Sequence, residues 1–122
     1  MTWTKEALLA LALYVQTVTA QPMACIAERE SGFDALAVGA AGEIGVVQWL
    51  PATHEWLAEL FKERADLSHP LWSLLADGVT LGNPVHDMLL AAWAMSEGYG
   101  KHWSTWRDCD ASTRDDAVWR SR

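Results

Sequence analysis

Positive charge is scarce in this sequence: nine lysines and arginines stand against 16 aspartates and glutamates, a formal net charge of -7. A chain so poor in cations has no field to draw it to phosphate backbones, which sets nucleic acid aside as a partner. The same acidity gives no attraction to an anionic cell wall and suits a domain delivered by attachment to something larger. Long apolar runs are also missing. The stretch Ala7 to Val15 is the nearest to one, and it falls far short of the ~20 residues of a membrane span. It makes a poor secretory signal, because Glu6 sits where positive charge belongs and Thr17 to Ala20 is a weak cleavage site. We therefore expect a buried first helix and no clear signal peptide.

Metal and cofactor signatures are lacking too. His54-Glu55 has no second histidine of a zinc-protease helix, and His69, His86 and His102 share no ligand spacing. There is no Gly-x-Ser-x-Gly nucleophile turn and no phosphate-binding glycine loop. The expectation is an active site with neither metal nor cofactor.

What the chain has is a compact domain's worth of apolar residues: 122 residues, 51% of them hydrophobic, enough for one core and too few for two ordinary ones. Eight tryptophans (Trp3, Trp49, Trp56, Trp72, Trp93, Trp103, Trp106 and Trp119) exceed what core packing usually needs. Flat aromatic faces also suit sugar rings, although roughly two thirds of the set are expected to be core or interface anchors. The body spans residues 1–108, and a polar tail over 109–122 follows, within which and just before which arginines and aspartates balance.

Start and stop signals divide the body. Thr4 is an N-cap for a first helix running to about Thr19, and Pro22 opens a second helix that Gly32 ends. Gly39 to Gly45 is punctuated by glycine and leads into Ile44-Gly-Val-Val-Gln-Trp, read as a short strand or hairpin. A third helix follows Pro51, a short one covers Leu71 to Ala76, and another follows Gly82-Asn83-Pro84 with Val85, Met88, Leu89, Ala92 and Trp93 at helical spacing. The fold class is α+β and mostly α-helical, with a small β-hairpin region beside a cleft.

On the second helix Met23, Ile26, Ala27 and Glu30 recur at one face, so a carboxylate takes a place otherwise given to apolar side chains. A glutamate half-buried there holds its proton near neutral pH and can act as a general acid. Periodicity alone leaves open a helix-end carboxylate turned to water.

Two blocks carry a resemblance. Ile26-Ala-Glu-Arg-Glu-Ser-Gly-Phe followed by Ala41-Gly-Glu-Ile-Gly-Val-Val-Gln-Trp-Leu-Pro-Ala-Thr resembles, without a gap, the soluble lytic transglycosylase segment with the Glu-Ser and Gly-Leu-Met-Gln motifs. Ala91-Ala-Trp-Ala-Met-Ser-Glu-Gly-Tyr-Gly-Lys-His-Trp is similar to that family's third motif. The likeness spans about residues 5 to 106 and implies a lysozyme-like fold that cleaves peptidoglycan. It implies Glu30 as catalytic acid, Ser31 as the serine that orients the glutamate or the sugar, and Gln48 as a cleft amide that hydrogen-bonds a sugar substituent. On spacing alone, Ser31 is equally a helix-end hydroxyl and Gln48 a backbone-pinning amide. Trp93 and Tyr99 of the third block are the other substrate-contact candidates, although Trp93-Ala94 replaces the family's Tyr-Asn pair and that pair's contacts do not transfer. Glu43 stands where lysozymes of the chicken type carry their second carboxylate, so the resemblance points to hydrolysis through Glu30 and Glu43. A turn glutamate in water is the competing reading. A single-carboxylate site would instead leave 1,6-anhydro ends.

Resuscitation-promoting factors, which this chain resembles in size, carry one cysteine just before the catalytic glutamate and another after a C-terminal tryptophan. That implies a Cys25–Cys109 disulfide, against two reduced, packed thiols. The partner implied is bacterial peptidoglycan, in the setting of a phage virion, tail assembly or lysis cassette, or of release to the cell wall. A glycan-binding or virion-structural module without turnover, and an acidic scaffold for a basic partner, are the other function classes.

Overall fold

The structure, a computed structural model, describes residues 2–110. Four α-helices carry it: α1 (Lys5–Thr19), α2 (Met23–Ser31), α3 (Pro51–Arg64) and α4 (Pro84–Ser96), with short 3-10 turns at Trp72–Leu75 and Gly100–His102. Residues 106–110 form one last helical turn. None of the described helices is long and apolar enough to cross a membrane.

The caps explain where the helices start. Thr4 accepts the Ala7 N–H into its hydroxyl, and Asn83 accepts those of Val85 and His86, each answering donors that a helix N-terminus leaves unpaired. Prolines at the first turns of α3 and α4 lose no hydrogen bond there. Pro22 caps α2 rather than occupying its first turn.

Helix α4 is the pillar. From Met88 to Met95 every residue is buried, the pattern of a helix enclosed on all sides. Helices α1 and α3 pack against it, and α2 packs against α1. The expectation of a buried first helix needs correction: Leu8, Ala12 and Val15 face the core, whereas Leu9, Leu13, Tyr14 and Val18 are exposed. The apolar run is continuous in sequence, but a helix in a two-layer packing buries only one stripe of it.

The tryptophans divide as core anchors and otherwise. Trp49, Trp72, Trp93 and Trp103 are buried, Trp3 and Trp106 pack against the core from half-buried positions, and Trp56 is exposed. Trp119 lies outside the described residues.

Between α2 and α3 the expected hairpin is reduced to two isolated antiparallel bridges, Val38 with Ile44 and Ile44 with Trp49. The segment is too short and too bent for a ladder, because Gly42, Gly45 and Gln48 all adopt positive φ within seven residues. The described residues are mostly helical, 58% helix and 3% strand. Cys109, placed at the start of the expected tail, is buried and bonded to Cys25 on α2 with Cα atoms 5.7 Å apart. Residues 111–122 of that tail lie outside the described residues.

Candidate active site

A cleft opens between the helical part and the 39–49 loop, lined by Glu30, Glu43, Gln48, Leu50, Thr53 and His102 above the indoles of Trp49 and Trp103. Its helical wall is set by α2. Met23, Ile26 and Ala27 bury one face of this helix, and the same face continues one turn on to Glu30, which is half-buried at the edge of the core. Burial raises the Glu30 proton affinity above that of an ordinary glutamate. A hydrogen bond from Thr105 Oγ1 to Glu30 Oε1, at 3.4 Å, opposes the shift, and the charge of Glu43 adds to it. Glu30 therefore keeps its proton to higher pH than a solvated glutamate does.

Two links make this wall one piece. The disulfide ties Cys25, on the opposite end of α2 from Glu30, to Cys109, and Thr105 leads into that same C-terminal turn. Arg29 and Asp108 also approach each other at 3.9 Å, but both are exposed and the pair contributes little.

The loop wall buries Val46, Val47 and Trp49 in the core and adds polar contacts of its own. Gly45 N–H donates to the Ala37 carbonyl at 2.9 Å, and Ile44 and Trp49 exchange both backbone hydrogen bonds at 2.8 and 2.9 Å. Gln48 sits at φ 56, a left-handed conformation that costs an ordinary residue energy and tends to persist where the surroundings enforce it. Its carboxamide does the enforcing, with Nε2 donating to Gly45 O at 2.9 Å and Ala37 O at 3.2 Å. Gln48 thus lines the cleft while spending both of its amide hydrogens on its own loop.

Ser31 also faces the loop. Its hydroxyl donates to the Val46 carbonyl at 2.7 Å, lies 3.2 Å from the Ala27 carbonyl, and accepts the Asp34 N–H at 3.1 Å. It joins the end of α2 to the loop, and its hydroxyl is engaged there and not by Glu30. Glu43 is half-buried, not open to solvent as a free turn residue would be, and its Oε1 is covered without a hydrogen-bond partner. Gly39 makes room for it: a Cβ there would collide with the Glu43 carboxylate and the Gln48 amide oxygen.

Trp93 does not reach the cleft. It is 2% exposed and packs edge-on against Phe61 at 5.3 Å, so it is a core residue in place of a sugar contact. Tyr99 is one ring removed from the cleft, packed edge-on against Trp56 at 5.4 Å and tilted on His102 at 6.3 Å; His102 is the member of that group lining the cleft. Sequence reasoning missed Thr105 and His102 as neighbours of the acid. No spacing signals them, since they lie more than 70 positions from Glu30 and arrive only through the packing of the C-terminal segment. Among the described residues no group of three or more His, Cys, Asp or Glu is placed to hold a metal ion.

Taken together, the cleft offers a proton-holding acid on one wall and a second carboxylate on the other, over an aromatic floor. Among curated proteins and among solved structures nothing matches the chain. The family model described as Transglycosylase SLT domain matches residues 10–107, which include every cleft residue named above. The chain belongs to this family, whose members are lytic transglycosylases, a glycosidase-like class of enzyme acting on peptidoglycan.

Proposed function

We propose that this member of the transglycosylase SLT family cuts the β-1,4 bond between N-acetylmuramic acid and N-acetylglucosamine, with Glu30 as the general acid and Glu43 as the second carboxylate. The observation that carries the reading is the pairing of Glu30, half-buried and raised in proton affinity, with Glu43 in the same cleft. Glu30 gives its proton to the glycosidic oxygen as the bond to the anomeric carbon breaks. The sugar ring left behind carries oxocarbenium charge, which the Glu43 carboxylate stabilises directly or through a water that it activates. Attack by that water gives a reducing end and returns a proton to the site.

Membership in the family favours a second reading, in which a hydroxyl of the sugar itself attacks and leaves a 1,6-anhydro end. Here Glu30 acts first as acid and then as base, and Glu43 is an electrostatic support. Mass spectrometry of muropeptides released from purified peptidoglycan separates the two, with reducing ends supporting hydrolysis and anhydro ends the intramolecular route. Binding to the glycan with no release of muropeptides would leave a non-catalytic module and end both readings.

A further inference from the structure

The best-buried acid among the described residues lies outside the cleft. Asp87, in the first turn of α4, is 0% exposed. Its two carboxyl oxygens meet different surroundings. Oδ1 accepts the Gly82 N–H at 3.1 Å, while Oδ2 has no hydrogen-bond partner and lies against Gly45, where an added Cβ would come within 2.5 Å of it. The backbone carbonyl of the same residue accepts the indole N–H of Trp49 at 3.0 Å. Asp87 thus touches both ends of the Gly45–Trp49 turn, the turn that presents Gln48 to the cleft.

As a carboxylate Asp87 would be a buried charge with a single donor, the Gly82 N–H on Oδ1, and none on Oδ2, which the fold tolerates badly. A neutral carboxylic acid in the same place costs far less to bury, because it carries no net charge. We propose that Asp87 is a positioning residue for the active-site loop, and that it backs the Gly45–Gln48 turn as a neutral acid whose ionisation loosens that wall of the cleft. The inference rests on the reading of the cleft as the active site, but its structural part does not depend on turnover.

Burial pushes the Asp87 carboxyl up to about 7, with the Gly82 N–H the opposing influence. The sign follows from linkage. A folded-state value above the ordinary 3.8 means that the stability this group allows is fully present below pH 3.8 and is lost progressively as pH rises through about 7. The other titratable groups here supply no compensating cation. His86, next in sequence, and His54, on α3, are both held below the usual histidine value by burial, and His54 further by His86; Glu43 precedes Gly45 on the loop.

Carbon-detected NMR of the full chain tests this. The Asp87 carboxyl should titrate with a midpoint between pH 6 and 8, and the Gln48 side-chain amide and Trp49 indole signals should shift with the same midpoint. In Asp87→Asn, which keeps shape without a titrating proton, those shifts should disappear. On cell walls, the ratio of turnover at pH 8 to that at pH 5 should rise at least ~3-fold in Asp87→Asn over the natural chain. Glu30 titration enters both proteins alike and cancels in that comparison. A carboxyl midpoint in the ordinary aspartate range, or loop signals that move equally in Asp87→Asn, would overturn the proposal, and the first result needs no variant to fold. Absence of wall cleavage by either protein would instead count against the function reading, with the titration still deciding the role of Asp87.

Discussion

The two walls of the cleft are built on different physics. Glu30 stands on a helix whose inner face is buried to completion and whose two ends are tied, by the Cys25–Cys109 bond and by the Ser31 hydroxyl, to the rest of the body. Glu43 and Gln48 stand on a loop with two isolated β-bridges, three residues at positive φ and a carboxamide bonded back onto its own carbonyls. Apolar burial is non-directional, so on the first wall the disulfide and the Ser31 hydroxyl reinforce a helix already seated by its buried face. The second wall is anchored by the buried Val46, Val47 and Trp49, but hydrogen bonds are directional, and it is they that set the conformation of Gln48 between those anchors. On the proposed function, the acid that must hold its proton at a fixed place lies on the first wall, and the groups that would meet a sugar's developing charge lie on the second.

The largest test of this contrast removes the covalent tie of the helical wall. Closing a loop of 84 residues contributes about 4 kcal/mol on chain-entropy grounds. The paired substitution Cys25→Ser with Cys109→Ser should therefore lower the melting temperature by on the order of 15 °C, with the cleft intact at low temperature. Two free thiols in the denatured, unreduced protein would deny the bond altogether.

Next in size is chemistry without structure. Glu30→Gln keeps the shape and hydrogen-bonding capacity of the side chain but cannot deliver a proton, so turnover on cell walls should fall at least ~10²-fold with melting unchanged. Near-normal lysis by the folded variant would remove the acid from the helical wall and with it the point of the comparison.

The loop wall is probed more gently. Gln48→Ala deletes two hydrogen bonds at a strained residue and should cost about 2 kcal/mol of stability in denaturant unfolding. Gln48→Gly deletes the same bonds but relieves the positive φ, so it should be the milder change by about 1 kcal/mol. Equal losses would show that the backbone there is held by something other than the amide.

Smallest is Thr105→Val. The lost hydrogen bond favours the charged form of Glu30, so its removal raises the Glu30 proton affinity further. Because a general acid works only while protonated, the alkaline limb of the pH–rate profile should move to higher pH with little change at the optimum. A shift toward lower pH would mean that Thr105 serves the protonated acid instead.

The helical wall was the legible one. Periodicity placed Met23, Ile26, Ala27 and Glu30 on one face, and the Thr4 cap, the Gly82-Asn83-Pro84 break and Pro51 marked where helices begin, because both signals are local. Glycine punctuation and a β-branched run in the loop are also what a short strand or hairpin uses; the φ values at Gly42, Gly45 and Gln48 that break the ladder are set by tertiary contacts. Trp93 was misplaced for a related reason. A motif position gives a side chain's register on its helix, but the depth of α4 decides whether that register meets solvent, and here it meets Phe61. Thr105 reaches Glu30, and Asp87 reaches Gly45 and Trp49, only through long-range packing, which no window along the chain contains.

Gly39 and Gly42 bear on how this loop would respond to random mutagenesis. A saturation library should find both intolerant, yet for unrelated causes. At Gly42 nothing lies within 4 Å of an added Cβ, and the obstacle is a φ of 89, which asparagine enters at least cost. At Gly39 the obstacle is volume, since the space that any Cβ requires is already filled by the Glu43 carboxylate and the Gln48 amide. Asparagine should thus survive selection at position 42 more often than alanine, while at position 39 both are lost alike. A survivor at 39 would be expected to carry a second change that shortens residue 43 or 48, so this glycine and the cleft's second carboxylate should vary together or not at all.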